Sequence, residues 1–235
     1  MDGTGRDDLK NLVSVITADD VFTVPDSILR PGWPTPIRDY APHEDYQLTP
    51  AGILARSSNV GTIMVAEKMD KTVMRDYLEK FGYGEPPGIS MPGEIPSLMP
   101  EEWSDLRRDT ISYGQGVATT VVHLAAAYAT IANGGVRMPP RLVDAVVDDQ
   151  GNERPVPVEK PRRVVEESTA RDIITMMEAV VGDDGTARNV VVDGYRLAVK
   201  TGTAQNLDAA GNVVGYNATF AGLAPADDPK LVTVV

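Results

Sequence analysis

The sequence predicts an α+β fold, an antiparallel sheet packed with helices, and three observations carry that expectation. Helical signatures fill the beginning and middle of the 235 residues, whereas strand candidates cluster late, at 195–202, 218–224 and 230–235. Segregated helices and strands build layered folds of this kind rather than alternating βαβ units. The longest apolar run, VATTVVHLAAAYATIA at 117–132, is shorter than the ~18–20 residues a membrane span needs, so it reads as a buried helix. A hydrophobic content of 42% suffices for one large domain or two small ones.

Along the chain, Leu9, Leu12, Val13 and Ile16 recur at helical spacing and predict a short amphipathic helix over 7–17. VFTVPDSI (21–28) reads as extended. Thr49-Pro50 is a helix start, a hydroxyl cap followed by proline where a missing N–H costs nothing. That helix runs to about Ala55, is interrupted by Ser57-Ser58-Asn59, and resumes over 60–69. Another, 72–81, stops at Gly82. Five prolines in EPPGISMPGEIPSLMP (85–100) force an irregular surface excursion. The 120–132 helix closes at Asn133-Gly134-Gly135, and 142–158 reads as two strands around a polar turn. Ser168 is expected to cap a helix through Val181, with Ile173, Ile174, Met177 and Val180 on one face.

The charge balance narrows the function. Lys plus Arg is 22 against 34 Asp plus Glu, a net charge of −12, which argues against nucleic acid and anionic lipid as partners. Cysteine is absent, so thiol nucleophiles and thiolate metal sites are excluded. His43 and His123 are the two histidines, and their spacing predicts no metal site and no cofactor. His123, three residues after Thr120, suits a helix cap rather than catalysis. The opening MDGTGRDDLKNL lacks the basic-then-apolar order of a signal peptide, so no targeting segment is expected in this chain.

Two short motifs remain. LAVKTGTAQN (197–206) ends an apolar strand in an ammonium, two hydroxyls and a glycine, a composition suited to holding an anion. Ser57-Ser58-Asn59 sits between two helices, where such residues ordinarily make local capping bonds. Together they are two of the three motifs of the penicillin-recognising serine acyltransferases, Ser-x-Asn and Lys-Thr-Gly. More of the chain resembles the transpeptidase domain of class B penicillin-binding proteins, the cell-division type especially. RSSNVGT (56–62), PPGISMPGE (86–94), SYGQGV (112–117), LAAAYATIANGG (124–135), GTARNVVVDGYRLAVKTGTAQN (185–206) and FAGLAPADDPKLVTVV (220–235) follow that family's order, from about Val15 onward.

The resemblance implies roles where the motifs stand. Ser57 passes a proton toward the leaving amine. Asn59 holds the donor peptide's backbone. Lys200, on an inner strand, makes the cleft positive and bonds Ser57 at about 2.7–3.2 Å. Thr201 and Thr203 bind the terminal carboxylate of a D-Ala-D-Ala stem peptide, or of a β-lactam mimicking it. Gly202 is small so that substrate can lie against the strand, and the Thr203 N–H is an oxyanion donor. Gly114-Gln115-Gly116 reads equally as cleft lining or as a tight turn, Thr186 as a turn residue, and Tyr216 as a packed aromatic in preference to a residue on the cleft rim.

The third motif, Ser-x-x-Lys, supplies that family's nucleophile, and no serine of this sequence has lysine three residues later. The expectation is therefore a partial transpeptidase domain over 1–235, of the penicillin-binding-protein and serine β-lactamase-like fold. It is incomplete at both ends, with residues 1–14 unlike the family and no nucleophile in this chain. Without a central helix, the segments around Leu54, Ile63 and Leu124 are expected to lack partners. By resemblance, the parent protein is anchored in the cytoplasmic membrane with this domain on the outer face, in a cell-division complex. A D,D-carboxypeptidase or β-lactamase, and a non-catalytic remnant binding division partners, are the competing readings.

Overall fold

The structure, a computed structural model, describes residues 16–235 apart from 90, 158, 209 and 211; the helix expected over 7–17 falls outside it but for its end. Strands β1 (Phe22–Val24), β2 (Ser27–Ile28), β3 (Ile37–Arg38) and β4 (Tyr46–Leu48) form two antiparallel ribbons, β1 with β4 and β2 with β3. Helix α1 (Pro50–Arg56) begins as its sequence predicts: the Thr49 hydroxyl accepts the Gly52 N–H, and Pro50 is the first helical residue. It ends at Ser57, the one non-glycine residue with positive φ (53°) among the described residues. Helix α2 (Asn59–Ala66) starts two residues after Ser57, because the Ser58 side chain between them caps it by accepting the Gly61 N–H. Asn59 therefore stands in the first turn of a helix rather than in the preceding loop.

Asp70 caps α3 (Lys71–Phe81), and Gly82 closes it with φ 98°. The proline-rich excursion follows, tied down by a bridge between Leu98 and Ala118. Helix α4 (Asp105–Ser112) is a finding of the structure, not of the sequence reading. Helix α5 (Val121–Ala132) is capped by Thr120. Beyond it β5 (Val136–Arg137) pairs with β8 (Arg162–Arg163), and β6 (Ala145–Val147) pairs with β7 (Glu153–Pro155) as the expected two-stranded excursion. Helix α6 (Glu167–Glu178) continues into a 3₁₀ turn at 179–181. Its cap position is Glu166, with no side-chain cap bond, so Ser168 lies inside the first turn and does not cap it.

The last strands, β9 (Ala198–Leu207), β10 (Val213–Ala224) and β11 (Leu231–Val234), form one antiparallel sheet in the order β11-β10-β9. The expected α+β architecture is thus present. One correction concerns β9: among the described residues it is an edge strand, and β10 is the inner one. β10 is flanked on both sides because it hairpins back along β9 and then turns into β11.

The helices cover this sheet through Ile174 and Met177 of α6, which pack on Ala198, Leu223 and Ala226 with Tyr128 and Ile131 of α5. A second cluster, Val180, Ala187 and Val199, binds the 3₁₀ turn to the root of β9. A third joins Phe22, Val24 and Leu48 to Ile53 and Val60, fixing α1 and α2 on the first ribbon. Ile63 is fully buried, which overturns the expectation that its segment lacks partners; Leu54 and Leu124 are half-buried. Among the described residues no helix is long and apolar enough to cross a membrane.

Gly185 joins the second cluster to α1. A β-carbon there would lie 2.0 Å from the Val180 carbonyl oxygen, while Ala187 N–H bonds Val180 O and Thr186 N–H bonds Ala55 O. Gly185→Ala must push this loop off the 3₁₀ turn. Its urea unfolding midpoint should correspond to a loss of roughly 1–3 kcal/mol, the usual cost of overpacking. A stability equal to the parent's would refute the close approach.

Candidate active site

Lys200 is the third residue of β9, and its stem leaves the sheet beside the buried Ala198 and Val199. Its ammonium donates to Ser57 Oγ at 2.7 Å and to the Thr201 carbonyl at 2.6 Å. The two motifs, 143 residues apart, meet in this one bond. No local preference can bring them together; α1 packs on α6 and the 3₁₀ turn, and these in turn pack on β9. Among the described residues no carboxylate pairs with Lys200, and burial alone pulls its pKa from 10.5 down to about 8.

Ser57 reaches Lys200 from the end of α1, where the left-handed backbone turns the chain sharply into α2. Since its oxygen accepts from the ammonium, the hydroxyl's own hydrogen remains to be donated. Thr201 is not alone: its hydroxyl bonds that of Thr186 at 2.6 Å. Thr186, expected only in a turn, thereby joins the Lys-Thr-Gly strand at the candidate site. The one sign of it in the sequence is the Gly-Thr-Ala triplet that 185–187 shares with 202–204, too short to count as a repeat.

Gly202 faces Thr219 on β10, and a β-carbon there would sit 2.5 Å from the Thr219 hydroxyl. Packing within the sheet thus demands a small residue, independently of any substrate. Thr203 is exposed on the same strand, opposite Ala218. Asn59 donates its amide to the Arg38 carbonyl at 2.8 Å, so that donor is committed to the fold.

The remaining candidates resolve as structure. Gly114 and Gly116 have φ 93° and 85°, and the N–H groups of Gly114 and Gln115 bond Ile111 and Thr110 carbonyls. That turn closes α4. His123 Nε2 donates to the Glu85 carbonyl at 2.8 Å, and the ring's Nδ1 meets the Thr120 hydroxyl at 2.8 Å, a cap as the sequence implied. Tyr216 is 64% exposed, not packed, because it lies on the stretch of β10 beyond the helices. A shallow cleft of about 520 Å³ opens beside the Ser57 turn, bordered by Asp39, His43, Tyr46, Arg56, Thr186 and Arg188.

With that geometry in view, known proteins were compared with the chain. A family model described as the penicillin binding protein transpeptidase domain matches residues 14–235. The chain belongs to that family. Penicillin-binding protein PbpB of Mycolicibacterium smegmatis is 38% identical over 229 residues, covering 91% of this chain and 34% of that protein. Peptidoglycan D,D-transpeptidase FtsI of Escherichia coli K12 is 36% identical over 202 residues, covering 85% of this chain and 32% of that one. The chain thus spans about a third of the length of the curated relatives it matches. Penicillin-binding protein 3 of Mycobacterium tuberculosis has the same fold, with a TM-score of 0.86 at 35% identity over 93% of this chain and 51% of that one. That protein has also been solved with aztreonam and with ampicillin.

In this transpeptidase-family domain the state of Lys200 can be read from stability. Its native pKa lies below its ordinary value, so the native state sheds the proton first as pH rises. Between about 8 and 10.5 the unfolded chain binds more protons, and stability increases through that window. Below pH 8 the cost of burying the ammonium is fully present. The stability of the parent relative to Lys200→Met should therefore rise between pH 8 and 10, by an amount on the order of a few kcal/mol. A pH-independent difference in urea titrations would show that Lys200 is not desolvated.

Proposed function

We propose that this chain is the donor-binding and proton-transferring part of a serine-type peptidoglycan D,D-transpeptidase. The observation that carries the reading is the 2.7 Å bond joining Ser57 and Lys200. In this reading an extended stem peptide lies along the free edge of β9, as peptides add to exposed sheet edges. Its terminal carboxylate meets the Thr201 and Thr203 hydroxyls and the unneutralised Lys200 ammonium. A carboxylate with charge-assisted donors binds better than with neutral ones.

The reaction then divides into two halves. A serine hydroxyl, giving its proton to the lysine of its own Ser-x-x-Lys motif, attacks the carbonyl between the two D-alanines, and the carbonyl oxygen becomes an oxyanion beside the Thr203 N–H. The C–N bond breaks as the departing amine takes a proton from the Ser57 hydroxyl, which Lys200 can replenish. In the second half an amine of a neighbouring stem peptide attacks the ester and loses a proton to the same relay; the acyl–oxygen bond breaks and the serine leaves with a proton returned by the lysine of its motif. The attacking serine belongs to a Ser-x-x-Lys motif that this sequence does not contain. The chain therefore contributes binding and proton transfer rather than the nucleophile. β-Lactams, whose carboxylate and strained amide mimic the donor, are ligands of the same cleft. The parent protein, in this reading, is membrane-anchored with the domain on the outer face and works in cell division.

Incubation with benzylpenicillin followed by intact-mass measurement should give no covalent adduct. Saturation-transfer NMR should still detect reversible binding that Lys200→Gln abolishes. A stoichiometric adduct would show that another serine of the chain replaces the nucleophile. Binding unaffected by Lys200→Gln would remove Lys200 from carboxylate recognition.

A further inference from the structure

We propose that Asp39 is a positioning residue for the site: its carboxylate holds the Ser57-Ser58-Asn59 turn in the conformation that presents Ser57 to Lys200. This rests on the transpeptidase reading, in which the Ser57–Lys200 bond is the working contact.

The turn is under an unusual demand. Ser57 is left-handed, a conformation its β-carbon disfavours. A residue persists there only when its surroundings over-determine it. On one side Lys200 holds the Ser57 hydroxyl. On the other, the segment before β4 holds each of the next three residues. Asp39 Oδ2 accepts from the Ser58 hydroxyl at 2.6 Å, and Asp39 Oδ1 accepts from the Val60 N–H at 3.0 Å. Asn59 between them donates to the carbonyl of Arg38, the residue preceding Asp39. The Ser58 oxygen in turn accepts the Gly61 N–H, so one carboxylate fixes both the turn and the start of α2.

Asp39 can do this because its charge is balanced where it sits. Its side chain is 10% exposed, and His43 Nε2 lies 3.1 Å from Oδ2. The other ring nitrogen, Nδ1, lies 2.6 Å from the Glu44 carbonyl. A carboxylate and a carbonyl only accept, so both ring nitrogens donate and His43 is an imidazolium. Burial works against that charge, and the Glu44 carbonyl, Asp39 and Asp26 outweigh it to hold the pKa above the ordinary imidazole value. Asp26 also accepts the His43 backbone N–H and pairs with Arg38. Tyr46 stacks on the ring at 4.2 Å, and the Arg56 guanidinium lies over the Tyr46 ring at 4.5 Å. None of these contacts is to a substrate; Asp39 acts through the turn.

The test reads the turn at Lys200, using the full chain carrying ¹³C-labelled lysines, with Lys200→Met to assign the signal. In the parent the Lys200 ε-carbon should titrate near pH 8. In Asp39→Ala, which frees the Ser58 hydroxyl and the Val60 N–H, the turn relaxes and water reaches the ammonium. The midpoint should then climb by about 1 pH unit. Asp39→Asn, which keeps an oxygen for Val60, should recover part of the shift. An Asp39→Ala protein that keeps its near-ultraviolet circular dichroism and an unchanged Lys200 midpoint overturns the proposal, whatever its melting temperature. Should Asp39→Ala fail to fold, Ser58→Ala decides: the same upward shift supports the positioning role, and an unmoved midpoint overturns it. Neither peptide nor β-lactam enters this measurement, so it can fail while the ligand-binding test succeeds, and the reverse.

Discussion

Taking an ammonium out of water is costly unless its hydrogens find acceptors. In this protein Lys200 finds them in two uncharged oxygens, the Ser57 hydroxyl and the Thr201 carbonyl. A carboxylate partner would have been the cheaper solution for stability, but it would also have cancelled the positive charge. The arrangement keeps that charge available and leaves it poorly hydrated. Much of the rest of the structure serves this one contact: the sheet fixes the lysine, the helical layer brings the serine to it, and the packing between the layers sets their separation.

That separation is set by apolar clusters and tight glycine contacts, not by the site residues themselves. Val199, next to Lys200, is buried against Val180 and Ala187, so the root of β9 cannot move without opening that cluster. Ala55, two residues before Ser57, accepts the Thr186 N–H, and Thr186 bonds Thr201. The end of α1 and the Lys-Thr-Gly strand are thus cross-linked twice, once through Lys200 and once through Thr186. Ile53, Val60 and the first ribbon close the same unit from behind.

How much of this the sequence shows depends on the range of each interaction. Helix ends governed by neighbouring residues, such as Thr49-Pro50, Gly82 and Thr120, are legible because a cap acts within one turn. Helix α4 is not, since Leu106 and Ile111 give DLRRDTIS too little apolar periodicity. Its most buried residue, Asp109, is held by Arg30 from 79 positions away as well as by Arg108 beside it. The site divides in the same way. Ser57, Asn59, Lys200, Thr201, Gly202 and Thr203 carry short motifs that can be recognised. Asp39 and Thr186 carry none, because what defines them is a partner 19 or 15 residues distant. The edge position of β9 was also hidden, since strand order is a property of the assembled sheet and leaves no mark on the strand itself.

If Lys200 receives a carboxylate as proposed, the net charge of the chain gives its burial a purpose. At −12 the chain would repel an anionic peptide end rather than attract it. Long-range steering is therefore absent, and in physiological salt the repulsion itself fades beyond about 8 Å. Recognition of such a peptide would have to be made at contact, by donors that have already lost their water. An exposed lysine would meet a carboxylate through competing solvent and gain little. A lysine desolvated against Ser57 meets it in a medium of lower polarity, where the same charge counts for several times more. In the proposed function, the burial that depresses the Lys200 pKa would thus also strengthen its attraction for a carboxylate.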